Sequence, residues 1–235
     1  MANIIFLVVL FLANAVQAIT GFAGTVLAMP PSILLIGMDE AKVVLNAMAW
    51  LSGLIIAVQN CKDINFKELG KMIALMFIGM IIGMKVYEIL PANQLLIIYG
   101  VVVILIGLKD LCIKKTFQLN KVICLLILLA AGVMHGMFVS GGALLVIYAV
   151  QALKDKNEFR ATVAPIWVIL NTFMMFSYMR GGLVSEASLQ LIGVSIIPLF
   201  LAIWIGNKLQ KKINQKVFLN LTYGLLMISG LSIII

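Results

Sequence analysis

The sequence has very little charge for its length. Only 11% of its 235 residues are Asp, Glu, Lys or Arg, while 63% belong to the hydrophobic set. An ordinary water-soluble domain has about a quarter charged residues. This deficit excludes a typical soluble fold, and it predicts that lipid surrounds most of the protein.

Cysteine and histidine are also scarce, with three cysteines and one histidine in the chain. Cys61, Cys112 and Cys124 are far apart and form no C-x-x-C pair, so the sequence predicts neither a metal site nor a disulfide framework. The sequence also has no phosphate-binding loop and no nucleophile with an attendant base. We therefore expect neither an enzyme nor a cofactor.

Carboxylates are missing from the middle of every apolar segment. The nine Asp and Glu residues all lie in predicted loops or at segment ends. A path for cations or protons usually places a carboxylate in mid-span. The distribution therefore favours an anionic or neutral substrate, and any proton coupling would need another group.

Eight long apolar segments divide the chain, and six have the length of about 20 residues that one transmembrane helix needs. The first and fifth are longer and are interrupted by glycine, at residues 20–24 and 139–142. Each is either one kinked span or a hairpin whose arms enter and leave on the same side. The N-terminal run has no basic start and its pattern continues, so a retained first helix is expected. The segments are residues 3–37, 41–60, 68–88, 92–113, 121–152, 161–179, 187–207 and 216–235.

The basic residues favour the hairpin interpretation. With two hairpins, fourteen of the seventeen Lys and Arg residues fall on one side of the membrane, and only Lys42, Lys85 and Arg180 fall on the other. If every segment crossed the membrane once, the two sides would carry nearly equal numbers of basic residues. Because basic loops stay in the cytoplasm, we expect two hairpins with both termini outside. Whether the hairpins cross the bilayer fully or re-enter stays open.

The same topology predicts two related halves. Each half would hold one hairpin and three single crossings, and the odd number starts the second half on the opposite side. Residues 83–108 also align without a gap over residues 206–231, matching Gly83 with Gly206 and Lys85 with Lys208. The predicted fold is an all-α polytopic membrane protein of two inverted repeats, 1–115 and 116–235. Each repeat is a glycine-broken hairpin plus three transmembrane helices.

The two glycine breaks form the predicted substrate site. In a bilayer, non-helical backbone persists only where protein buries it or water bathes it, and helix N termini at such breaks can face an anion. Several polar side chains lie in the neighbouring apolar segments, where an unpaired polar group is costly. Alternatively, the glycines only permit close packing and the polar groups only bridge helices. The predicted binding residues are Gln17, Thr20, Gly21, Phe22, Gly24, Thr25, Asn46, His135, Ser140, Gly141, Gly142, Tyr148 and Asn171.

Two stretches resemble the sulfite exporter TauE/SafE family. QAITGFAGTVLAMP (17–30) resembles its first-repeat signature, and GMFVSGGALLVIYAVQALKDKNEFRAT (136–162) resembles the second. The Phe-Arg-Ala-Thr run at 159–162 matches, whereas the commoner G-x-G-G-G form is replaced by G-F-A-G and by Val139-Ser140 before the glycine pair. The resemblance covers nearly the whole chain. It implies a multi-pass permease of the cytoplasmic membrane for sulfite or small organosulfur anions.

The predicted function is secondary transport of a small anion by alternating access between the two breaks. By resemblance, the anion is sulfite, a sulfonate or a related species. Arg160, Lys85 and Lys208 are candidates for attracting it, or are topology residues that reach the interface. An anion channel of the same architecture is the alternative, and a membrane enzyme or assembly subunit is a further one. The anion and the bilayer are the expected partners, a coupling proton and a homo-oligomer stay open, and nucleic acid is not expected.

Overall fold

The computed structural model describes residues 2–91, 120–153 and 155–214, with the single positions 94, 97, 101, 217 and 220. Eight α-helices account for most of the described ranges. A 3₁₀ turn, Cys61–Asp63, joins the third helix to the fourth. The predicted segments 92–113 and 216–235 lie almost entirely outside the described residues. In chain order the helices are α1 (Ala2–Thr20), α2 (Ala23–Ile36), α3 (Met38–Gln59), α4 (Phe66–Ile89), α5 (Lys121–Phe138), α6 (Gly142–Ala152), α7 (Lys156–Arg180) and α8 (Glu186–Lys212).

Six of these helices are long and apolar enough to cross a membrane, namely α1, α3, α4, α5, α7 and α8. The other two, α2 and α6, are apolar but shorter. Large apolar side chains are exposed on the outer faces, such as Ile78 and Ile82 on α4 and Ile197 and Phe200 on α8. Such a surface would promote aggregation in water, whereas it is the expected outer surface of a protein in lipid. The prediction of an all-helical, polytopic membrane protein is therefore confirmed.

Both long apolar segments divide into two helices at their glycine clusters. α1 ends at Thr20 and α2 begins at Ala23, while α5 ends at Phe138 and α6 begins at Gly142. The two arms of each pair pack against each other. A kinked straight span would separate its arms beyond the kink, so the structure contains two hairpins, each with one long and one short arm.

Hydrogen bonds between helix termini identify two ends of the bundle. At the Asp39 end, the Tyr87 hydroxyl donates to Asp39 at 2.9 Å and joins the start of α3 to the end of α4. At the Asn65 end, Asn65 Nδ2 donates to Glu158 at 2.9 Å and joins the start of α4 to the start of α7. α2 leads through Gly37 to the Asp39 end. α6 leads to the start of α7 and thus to the Asn65 end.

Glycine allows close helix crossings in both halves. α4 and α5 lie side by side in the same direction, and a β-carbon on Gly79 or Gly83 would lie 2.1 Å from a carbonyl oxygen of α5. Reciprocally, a β-carbon on Gly132 or Gly136 would lie 2.2 Å from a carbonyl oxygen of α4. Gly206 approaches α1 similarly, since its β-carbon would lie 2.6 Å from a carbonyl oxygen. Such crossings hold helices together in lipid by van der Waals contact.

Several helix contacts recur in the two halves of the chain. α4 packs on α5 as α8 packs on α1, and α4 packs on α7 as α8 packs on α3. α3 and α7 pack on each other, and so do the short helices α2 and α6. All residues of both hairpin turns are buried, which places the turns in the interior.

Candidate functional site

The first turn, residues 20–24, is closed by side chains of α1. Gly21 has a φ of +87°, which residues with a side chain rarely adopt. Thr20 Oγ1 accepts hydrogen bonds from the backbone N–H of Phe22 at 3.4 Å and of the next residue at 3.3 Å. The N–H of Gly24 donates to Gln17 Oε1 at 3.0 Å. The first backbone amides of α2 are therefore already bonded within the turn.

The second turn, residues 139–142, has a different construction. Val139 lies in the left-handed region with a φ of +56°, which is unusual for a β-branched residue. Gly141 is the N-cap of α6 and supplies no side-chain cap. Ser140 Oγ instead donates across the bundle to the backbone carbonyl of Thr25 at 3.3 Å. The N terminus of α6 therefore presents backbone amides, and their partial positive charge, without a side-chain cap.

The two turns are in direct contact with each other. Besides the bond from Ser140 to Thr25, Gly142 lies against Phe22. A β-carbon on Gly142 would lie 2.9 Å from the Phe22 carbonyl oxygen. The Phe22 ring packs edge-on against Phe159, with ring centroids 6.1 Å apart. Glycine at 142 thus permits the close approach of the turns.

A buried polar cluster lies beside the second turn, and we call Asn46, His135, Trp167 and Asn171 the central cluster. His135 Nε2 is 2.9 Å from Asn171 Oδ1, and Asn46 Nδ2 donates to the Asn171 carbonyl at 3.1 Å. Trp167 Nε1 donates to the Gly21 carbonyl at 2.7 Å. The rings of His135 and Trp167 are 5.3 Å apart. The cluster therefore connects α3, α5 and α7 to the first turn.

Three atoms of the central cluster are buried without a hydrogen-bond partner in the structure: Asn46 Oδ1, His135 Nδ1 and Asn171 Nδ2. The three residues are completely buried. An unpaired buried polar atom costs about 1–3 kcal/mol. The amide Nδ2 is a donor, the amide Oδ1 is an acceptor, and His135 Nδ1 donates when the ring is protonated. These atoms match an oxyanion that carries both bare and protonated oxygens.

Arg160 lies on the side of the first turn opposite the central cluster, toward the Asn65 end of the bundle. A β-carbon on Gly21 would lie 3.2 Å from its Cα. The side chain is buried, and its guanidinium donates to Asn60 Oδ1 at 3.5 Å and to Asn207 Oδ1. Within the described ranges, its partners are neutral amides, and the ion pairs found there involve other residues. Arg160 is thus a buried cation without a carboxylate partner.

Three predicted residues lie away from both turns. The Tyr148 hydroxyl donates to Glu68 at 2.6 Å near the Asn65 end. Lys85 forms an exposed ion pair with Glu88 at 2.9 Å. Lys208 is exposed in the last two turns of α8, with its ammonium 3.5 Å from the centroid of a tryptophan ring. The structure brings together the other predicted residues, which belong to the two turns and the central cluster or are Gln17, Thr25 and Arg160.

Trp167 was not among the predicted binding residues, although it joins the central cluster to the first turn. Its indole is buried, and nothing in its sequence surroundings distinguishes it from a tryptophan that only packs. Only the folded structure reveals this role of Trp167, because its hydrogen-bond acceptor, the Gly21 carbonyl, lies far away in the sequence. In the described part of the chain, no three His, Cys, Asp or Glu side chains come together to hold a metal ion.

Comparison with known proteins gives one match. The family model described as "Sulfite exporter TauE/SafE" matches residues 6–233. No curated protein and no solved structure matches the chain. The matched range includes both turns, the central cluster and Arg160, so every part of the candidate site lies within the region that the family model describes.

Proposed function

The chain belongs to the sulfite exporter TauE/SafE family, and on that premise we propose that this multi-pass membrane transporter moves sulfite or a related organosulfur anion across the cytoplasmic membrane. The anion binds between the N terminus of α6 and the central cluster. The observation that carries this site is the set of three unpaired, buried polar atoms on Asn46, His135 and Asn171. They lie beside a helix N terminus that has no side-chain cap.

The contacts around His135 define the site. A β-carbon on Gly141 would lie 2.8 Å from His135 Cβ, so the base of the His135 side chain is directly beside the start of α6. Asn171 Nδ2 and the α6 amides donate to the anion, while Asn46 Oδ1 accepts from a protonated oxygen. Sulfite in its singly protonated form offers both kinds of oxygen. A larger organic group would have to displace the buried side chains around the site.

We propose that His135 carries the proton that accompanies the anion. A buried imidazole stays neutral when no counter-charge is near, because desolvation disfavours its charged form. A bound anion supplies that counter-charge, and the protonated ring then donates from Nδ1 to the anion while Nε2 stays bonded to Asn171. Proton and anion therefore strengthen each other's binding, and by linkage the coupling is reciprocal.

The surroundings of His135 leave no other described group to take that role. The side chains that contact it, Asn171 and Trp167, are uncharged. Charged and phenolic side chains on α3, α4, α6 and α7 lie within about two turns of the helix ends. They are Asp39, Glu40, Lys42, Lys67, Glu68, Lys71, Lys85, Tyr87, Glu88, Tyr148, Lys156, Glu158, Arg160, Tyr178 and Arg180. The proton is thus carried by the single histidine of the chain.

The proposed mechanism is alternating access between two inverted repeats, 1–115 and 116–235. It is supported by the hairpins, since α2 leads from its turn to the Asp39 end and α6 leads from its turn to the Asn65 end. Gly83 and Gly206, which align in the sequence, both lie at close crossings with the first arm of a hairpin. Rocking of one repeat against the other would open the site to each end in turn.

The distribution of basic residues supports an orientation. Lys62, Lys67 and Lys71 lie at the Asn65 end, whereas Lys85 and Arg180 lie at the Asp39 end. By the positive-inside rule, we propose that the Asn65 end faces the cytoplasm and that the Asp39 end and both termini face outward. The direction of net transport follows from the gradients and not from this orientation.

The test is uptake of labelled sulfite, and of sulfonates, by proteoliposomes with and without an imposed pH gradient. We expect saturable uptake that responds to the gradient, and His135→Gln should remove that response. Empty liposomes are the control for passive permeation. Absence of uptake for every anion would contradict the proposed function, and unsaturable anion current without proton movement would instead indicate a channel.

A further inference from the structure

A second buried cation lies near the Asp39 end, on the opposite side of the central cluster from Arg160. Lys42 is 3% exposed, and its ammonium lies 3.0 Å from the centroid of the Tyr87 ring and 5.5 Å from that of Tyr178. The nearby carboxylate of Asp39 accepts from the Tyr87 hydroxyl. The ion pairs found in the described ranges involve other lysines. The Lys42 ammonium thus lies against one aromatic ring and near a second.

Tyr178 contributes an independent sign of a ligand at this place. Its side chain is 3% exposed, and its hydroxyl is buried without a hydrogen-bond partner. A phenol that only packed would be replaced by phenylalanine without loss, since an unpaired buried hydroxyl costs free energy. A cationic ammonium and an unpaired hydroxyl on neighbouring side chains are complementary to an anion.

The helix geometry connects this place to the central cluster. Lys42 and Asn46 are four residues apart on α3, so they lie on one face about 6 Å apart along the axis. Tyr178 and Asn171 are seven residues apart on α7, two turns along one face. The buried polar groups therefore continue from the central cluster toward the Asp39 end.

Lys42 and Arg160 also occupy matching places in the two halves. Each is the fifth residue of the helix that follows a hairpin, and each is buried. Arg160 lies between the first turn and the Asn65 end. Each end of the bundle therefore has one buried cation between the surface and the interior.

We propose that Lys42 and Tyr178 form a second binding site for a small oxyanion, on the route between the Asp39 end and the central cluster, with Arg160 as its counterpart on the other route. The anion displaces the ammonium from the Tyr87 ring, because a charge-assisted hydrogen bond is stronger than a cation–π contact. This inference rests on the proposed function, since it assigns a further step to the same substrate.

The experiment measures sulfite uptake into right-side-out and inverted membrane vesicles. Lys42→Met should raise the half-saturating sulfite concentration about tenfold when sulfite is presented at the Asp39 end, because a charge-assisted hydrogen bond is lost. When sulfite is presented at the Asn65 end, Lys42→Met should change the half-saturating concentration far less. Arg180→Met is the matched control, since it removes an exposed cation from the same end, and it should behave as the wild type.

Tyr178→Phe distinguishes ligand binding from packing. The variant should be more resistant to thermal unfolding than the wild type, because an unpaired buried hydroxyl is removed. It should nevertheless raise the half-saturating concentration about threefold from the Asp39 end.

The outcomes separate the two proposals. Normal kinetics in both variants, or an equal loss from both ends, would overturn the second site while wild-type sulfite uptake leaves the proposed function standing. Absence of uptake by the wild type for every anion tested would overturn the proposed function and this inference with it.

Discussion

The two hairpin turns occupy matching places in the two halves but differ in what satisfies their polar groups. In the first turn, Gln17 and Thr20 bond the opening amides of α2. In the second, His135 lies three residues before the end of its helix, as Gln17 does, but it bonds Asn171 instead. The opening of α6 has no side-chain cap.

Because of this difference, we infer different roles for the two turns, although their backbones are similar. A capped turn is complete without a ligand, since its amides and the side chains that bond them are mutually satisfied. The second turn, together with Asn46 and Asn171, has unpaired polar atoms in the buried interior, where a ligand has most to contribute. Under the proposed function, the first turn is therefore a support against which the second turn and the central cluster would bind the anion.

The largest expected effect is on transport, from His135→Gln. The amide can replace the bond to Asn171 but can neither take up a proton nor donate from the Nδ1 position. We expect sulfite uptake to fall about 100-fold, since a charged hydrogen bond contributes about 1.5–3 kcal/mol. Uptake in proteoliposomes measures it. Uptake within twofold of the wild type would show that the second turn is not the binding site.

Next in size is the effect of adding one methyl group to each turn. The β-carbon of Gly141→Ala would lie 2.3 Å from the Ala131 carbonyl oxygen, which belongs to the backbone and cannot easily move. That of Gly24→Ala would lie 2.2 Å from Gln17 Oε1, the end of a flexible side chain, and 2.9 Å from Gln17 Cβ, so its closest contact is with an atom that can move. We expect losses of about 3 and 1 kcal/mol, respectively. Thermal unfolding in detergent compares them, and the reverse order would contradict the structural difference between the turns.

A smaller effect is expected when the cap of the first turn is removed. Gln17→Ala leaves the N–H of Gly24 without its side-chain partner. Loss of such a cap costs about 1 kcal/mol of stability. Because we propose that the anion binds at the second turn, we expect sulfite uptake to stay within about twofold of the wild type. A loss of uptake as large as that of His135→Gln would place the anion at the first turn.

The smallest effect concerns backbone strain. Val139 has a positive φ that glycine adopts at little cost, as Gly21 does in the first turn. Val139 is also completely buried, so Val139→Gly relieves the strain but loses the packing of the side chain and makes the unfolded chain more flexible. We expect this variant to be about 1 kcal/mol less stable and Gly21→Ala to be less stable as well, and matched melting curves of the two variants test both expectations.

The sequence was a good guide to the helices and to the place of the turns. Apolar runs of spanning length and two glycine clusters predicted α1 to α8 with boundaries within a few residues, because helix formation in lipid depends on composition and length. The predicted 68–88, for example, is Phe66–Ile89 in the structure. These features are local, so they can be read along the chain.

The partners of the polar side chains could not be predicted in this way. Tyr148 was grouped with the turns because it falls in the fifth apolar segment, but it lies near the Asn65 end of α6 and bonds Glu68. Gln17 and His135 were predicted to have the same role, and the structure gives them different partners. The partners of a polar side chain depend on how far along the hairpin it lies and on the rotation of its helix about the helix axis. Both depend on packing across the bundle.

The most direct test of the difference between the turns is the shift in melting temperature that sulfite causes in the purified protein. It would be measured for the wild type, Gln17→Ala and His135→Gln in the same detergent, because a ligand that binds only the folded state stabilises it. We predict the same sulfite-dependent rise for the wild type and Gln17→Ala, and none for His135→Gln. A rise that survives in His135→Gln and disappears in Gln17→Ala would contradict the account and place the binding site at the first turn.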